Sequence, residues 1–136
     1  MDRSRRMKRI HVVLVLVATL FGIATVIAGV RVLAGSDPGY TVFRPLLIYN
    51  TAMGMAYVVA GVVAWRNVER GKYAAAAIFA LNFLALGTVG YLHVAGSAVA
   101  LDSIRAMIFR TIVWLVLFLG LALVSRKSNP TTEQEA

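Results

Sequence analysis

Cysteine is absent from this chain of 136 residues, and acidic residues are scarce, six against fourteen lysines and arginines. The first absence excludes disulfides, thiolate metal sites, iron–sulfur clusters and thiol catalysis. The second leaves no Asp or Glu deep inside the long apolar runs, so paired-carboxylate catalysis and the membrane carboxylate of proton-coupled transport have no residues to use. Histidine occurs twice, as His11 and His93, at opposite faces of the spans described below, where the pair cannot ligate one haem iron. Charged residues make up 15% of the chain and apolar residues 60%, whereas an ordinary soluble domain has about 25% and 45–50%.

What is present is hydrophobic length. A membrane-crossing helix needs about 20 mostly apolar residues, and four such runs occur, at about 10–33, 45–65, 73–94 and 104–124. Breakers separate them. Gly35, Ser36, Asp37, Pro38 and Gly39 end the first, and Pro45 suits the first turn of the second, where its missing N–H costs nothing. Arg66 to Lys72 makes the next turn; Gly96, Ser97 and the candidate N-caps Asp102 and Ser103 make the last. The expected fold is therefore all-α: an integral membrane protein, an antiparallel bundle of four transmembrane helices with short loops. A basic N-terminus, residues 1–9, precedes the transmembrane domain, residues 10–124, and the polar run 125–136, with Pro130, reads as a disordered tail.

Orientation follows from the basic residues. Arg3, Arg5, Arg6, Lys8, Arg9, Arg66, Arg70, Lys72, Arg126 and Lys127 fall on one side, ten in all; Arg31, Arg44, Arg105 and Arg110 fall toward the other. The positive-inside rule then puts the N- and C-termini in the cytoplasm, consistent with a bacterial inner (plasma) membrane. The excess charge of +8 reads as this topology signal plus attraction to anionic headgroups of the lipid bilayer, and no nucleic-acid partner is expected. The first apolar run exceeds the length of a signal-peptide core and should stay as an anchor. Trp65 and Tyr73 at one boundary, and Tyr40, Phe43 and Tyr91 at the other, sit where aromatic belts belong.

Lipid-embedded helices pack through small residues. The second span repeats Ala52, Ala56, Ala60 and Ala64, with Gly54 and Gly61 on a neighbouring face; the first offers Ala18, Gly22, Thr25 and Gly29, and the third Ala76, Ala80, Gly87 and Gly90. The fourth, with Trp114, Leu115, Phe118 and Leu119, is bulky and reads as facing lipid or a partner over much of its surface.

Polar groups concentrate toward the non-cytoplasmic half. Ionisable residues in a span are costly and functional by default, and Arg110 is the clearest. With Arg44, Asn50, His93 and Arg105 it forms a candidate binding site for a small anion, a lipid phosphate or a quinone head group, since guanidinium groups match such acceptors with two parallel hydrogen bonds. The structural alternative is an internal ion pair of Asp102 with Arg105 or Arg110. An open polar cavity between the second, third and fourth helices favours the first, and a closed pair the second. No catalytic constellation, metal site or cofactor is expected. The function expected is that of a non-catalytic accessory or scaffold subunit of a membrane assembly, as a homo-oligomer or within a larger complex; the alternative is a small ligand-binding or transport protein using the arginine cluster.

Overall fold

The computed structural model describes residues 2–37, 39, 43–96 and 99–128, with side chains from Arg5 to Arg126 within those ranges. Pro38, Tyr40, Ser97, Pro130 and the tail from 129 onward lie outside the described residues, as do the side chains of Arg3 and Lys127. The described chain is all-helical: α1 (Asp2–Leu33), α2 (Arg44–Arg66), α3 (Val68–Val94) and α4 (Leu101–Ser128). Each helix is long and apolar enough to cross a membrane, which makes this a multi-pass membrane protein built as a helical bundle.

The helices are longer than the apolar runs. At 1.5 Å per residue the 32 residues of α1 extend about 48 Å, beyond the roughly 30 Å of hydrocarbon, because the basic residues that precede Ile10 continue the same helix. The turn expected from Arg66 to Lys72 shrinks to the single residue Asn67. Its extended backbone, φ −150° and ψ 108°, ends α2 with an N–H bonded to the Val63 carbonyl at 2.8 Å. Its side-chain Oδ1 then accepts from the N–H groups of Glu69 (3.0 Å) and Arg70 (3.2 Å), capping α3. Glu69 in the first turn complements the positive end of α3. Such a short junction forces the two helix ends together. Gly71 permits this, since a Cβ there would lie 2.5 Å from Ala64 Cα.

α1 packs most closely on α2 and α3 on α4, while the α2–α3 and α1–α4 contacts are slimmer. The α1–α2 seam is made by glycines on both sides. Gly22 lies against the Gly54 carbonyl and Val58, Gly54 against Thr25 and Val26, Gly61 against Thr19, and Gly29 against Thr51. These pairs leave no room for a side chain, so the backbones approach as membrane helices require. His11 fastens the seam at one end: its Nε2–H donates to the Ala64 carbonyl at 2.6 Å, one of the carbonyls that the last turn of α2 leaves unpaired, while its ring stacks near Trp65 with centroids 6.1 Å apart.

The core divides into two clusters. One joins Val15, Met53, Tyr57, Ile78, Trp114 and Leu117, and the other Leu46, Val89, Val99 and Met107. Of the expectations about packing, one is met in part and one changes. α4 has Ile108, Phe109, Ile112, Leu115, Val116 and Leu119 exposed, as expected for much of its surface, but its other face supplies Met107, Trp114, Leu117, Leu121 and Val124 to the interior. On α3 the close contacts come from Gly71 and Ala75, whereas Gly87 and Gly90 have open space where a Cβ would stand.

Candidate functional site

The polar residues inside the bundle separate into a satisfied group and an unsatisfied one. In the first, Asn82 on α3 is fully buried and its Oδ1 accepts from the hydroxyls of Tyr49 (3.1 Å) and Tyr57 (3.2 Å) on α2, while its Nδ2 donates to the Tyr57 oxygen at 3.0 Å. This network ties the slim α2–α3 contact where no water is available to replace it. Asn82→Leu should therefore cost about 1–3 kcal/mol by stranding the Tyr57 hydroxyl, and Tyr49→Phe clearly less, because Asn82 keeps its Tyr57 partner. Unfolding midpoints in mild detergent measure the order; equal losses would mean that the network is not a unit.

The second group surrounds a cleft of about 100 Å³ between α1, α2 and α4. Its walls are Thr25, Ala28, Gly29 and Val32 from α1, Phe43, Leu47 and Asn50 from α2, and Ser103, Ala106 and Arg110 from α4. Counting along the helices, Thr25 lies about 12 Å from Leu33, Asn50 about 9 Å from Arg44 and Arg110 about 14 Å from Leu101, so these three lie at similar depth, while Ser103, about 3 Å from Leu101, lies nearer the helix end. Two of them are without partners: Asn50 Oδ1 and Arg110 Nε are both buried and make no hydrogen bond. The Thr25 hydroxyl instead donates to the Phe21 carbonyl at 2.7 Å, a bond within its own helix. None of the described residues lining the cleft is acidic.

Of the five residues expected to form the site, the structure brings together Asn50 and Arg110. Arg44 and Arg105 are exposed and line no part of the cleft. His93 is exposed too, and its Nδ1–H donates to the Val99 carbonyl at 2.8 Å, which holds the α3–α4 connection. Among the described residues Asp102 forms no ion pair with Arg105 or Arg110. The cavity itself is found with α1 in the place expected for α3. The physical reason is the glycine seam, which draws α1 and α2 into close contact and leaves the thin α1–α4 contact to open beside Arg110.

Thr25 and Ser103 are the lining groups that sequence reasoning did not assign to the site. The spacing of Ser103, Ala106 and Arg110, at i, i+3 and i+7, already places them on one helix face, as does that of Thr25 and Gly29. No protein-family model, curated protein or solved structure matches the chain.

Chemically, the cleft offers a guanidinium, an amide and a hydroxyl around a small void. The amide can turn either its oxygen or its NH₂ toward a ligand, so Asn50 adapts to an acceptor as readily as to a donor. The volume limits the guest. A cavity that takes benzene is about 150 Å³ and a water molecule occupies about 30 Å³ of liquid, so 100 Å³ suits a group of a few heavy atoms.

Proposed function

We propose that the protein is a small ligand-binding membrane protein that receives an anionic group at Arg110 and Asn50. The observation that carries this reading is that Asn50 and Arg110, each with a buried polar atom that makes no hydrogen bond, line one cleft, with no acidic residue among the described residues of its walls. A buried guanidinium nitrogen without a partner costs free energy that a bound anion would return. The bundle is read as antiparallel, since the seam pairs Gly61 with Thr19, Gly54 with Val26 and Gly29 with Thr51, positions that run in opposite directions along the chain. With ten basic residues on the side of both termini, the positive-inside rule supports cytoplasmic termini in a bacterial inner membrane and a cleft in the opposite half. No step of the reading calls for catalysis.

Arg110→Leu tests the reading by sign. If Arg110 serves as a strut, its loss destabilises the bundle. On the binding reading, removing this partly buried guanidinium, whose Nε has no partner, leaves lipid-free protein as stable as wild type or more stable by about 1 kcal/mol, while the stabilisation by added inorganic phosphate disappears. Wild-type protein should gain about 2.7 kcal/mol at a phosphate concentration 100 times the dissociation constant. Unfolding midpoints in detergent, with phosphate compared with chloride at equal ionic strength, read both quantities. A marked loss of stability in Arg110→Leu without added anion rejects the proposal.

A second reading, as an accessory subunit that packs against itself or a larger membrane complex, is favoured by α3. Gly87 and Gly90 leave an unfilled small-residue face beside the exposed Leu84, Tyr91 and Val94, the kind of surface on which membrane helices associate. The two readings are compatible in one molecule.

A further inference from the structure

Resting on the anion-site reading, we infer that the guest is the phosphodiester of an anionic membrane lipid, which enters sideways from the bilayer through the seam between α1 and α4. The seam is closed on one side of the cleft and open beside it. Leu14 packs on Gly120 and the rings of Phe21 and Phe109 meet with centroids 5.9 Å apart, but one turn further along α1 the contact gives way to the cleft at Thr25 and Ala28. Ala28 is the one exposed residue on the cleft wall and marks its mouth on the lipid-facing side of α1.

Three features choose among anions. The site lies about 10 Å along the helices from their ends, at a depth a lipid phosphate reaches by local thinning and a freely hydrated ion reaches only by shedding water. The void of about 100 Å³ suits a group the size of a phosphate, with the rest of a lipid outside, as a lateral mouth allows. The charge balance also selects. Among the described residues of the cleft walls Arg110 supplies the only formal charge, so a monoanionic diester neutralises it, whereas a dianionic phosphate leaves a net negative charge in the membrane. Within the cleft the guanidinium of Arg110 holds the phosphate oxygens, with the Asn50 amide and the Ser103 hydroxyl as further donors.

The test uses delipidated full-length protein in non-ionic detergent, with phosphatidylglycerol, phosphatidylcholine and inorganic phosphate as separate probes. Lipid retention is read by native mass spectrometry and phosphate binding by thermal shift. Wild type should retain one phosphatidylglycerol at least tenfold more tightly than phosphatidylcholine, whose phosphodiester is the same but whose choline cation would lie close to Arg110 with no acidic residue on the described walls to receive it. Arg110→Gln should lower that retention at least tenfold. Ala28→Trp, which fills the mouth, should lower it to a similar extent, and Val59→Trp on an exposed face of α2 should leave both lipid retention and the phosphate response unchanged. Saturable phosphate binding lost in Arg110→Gln, with no selective lipid retention, overturns the lipid assignment and leaves the anion site standing. Lipid retention that falls in Arg110→Gln but not in Ala28→Trp overturns entry through the seam. If neither probe responds to Arg110→Gln in folded protein, both the lipid assignment and the anion site fail.

Discussion

Trp114→Ala should destabilise the bundle by about 3–5 kcal/mol, whereas Trp114→Phe should stay within about 1 kcal/mol of wild type. The indole is 1% exposed, lies at the centre of the larger core cluster, and packs on the Tyr57 ring with centroids 4.8 Å apart and planes inclined at 38°. Removing it empties a space that Met53, Tyr57 and Leu117 cannot fill without moving, hence the large figure for alanine. Its Nε1, however, is buried with no hydrogen-bond partner. Phenylalanine loses part of the ring volume and simultaneously deletes this unsatisfied donor, so the two effects oppose each other. Unfolding midpoints in detergent for the two variants provide the measurement. A Phe variant as damaged as the Ala variant would show that Nε1 makes a contribution the structure does not account for.

The second large effect is expected at Gly22. A Cβ there would lie 2.8 Å from both the Gly54 carbonyl oxygen and the Val58 backbone nitrogen, atoms of a helix backbone that cannot rotate aside. Gly22→Leu should push α1 off α2 and cost about 3 kcal/mol, the upper end of the range for overpacking. Gly87→Ala provides the opposite case. Nothing lies within 4 Å of its added Cβ, and replacing glycine in a helix interior contributes about 0.5–1 kcal/mol of stability. The pair distinguishes glycines that carry an interface from those that merely occur in a span; equal responses at the two positions would contradict the seam.

Much of the architecture is legible in the sequence, because hydrophobic length and breaker residues are local signals. The four apolar runs each become a helix, and Pro45 falls in the first turn of its helix as its ring requires. What local signals miss is how far polar residues extend a helix. Val68 to Lys72 read as a loop because Glu69, Arg70 and Lys72 make the run polar, yet Asn67 caps them into α3. Small-residue spacing likewise identifies the glycine faces of α1 and α2 but cannot say which of several such faces finds a partner; α3 displays Gly87 and Gly90 and packs through Gly71 and Ala75. At the candidate site, depth arithmetic selects Arg110 and Asn50, which line one cleft. It cannot separate them from His93, Arg44 and Arg105, which lie toward the same end but turn elsewhere, since azimuth around a bundle depends on contacts that only the assembled fold defines.

The one-residue junction at Asn67 also orders the events of assembly. Linking α2 to α3 through a single residue leaves almost no loop-closure entropy to overcome, so that hairpin can form as soon as both helices are in the membrane. The α1–α4 contact lies at the other extreme, joining Leu14 to Gly120 and Phe21 to Phe109 across most of the chain, and contacts of such sequence separation are the slowest to be gained. The cleft at Arg110 lies on this last seam. Its walls are complete only once the whole chain has folded, so a guest that binds there acts as a late clasp, holding closed the seam most prone to reopen.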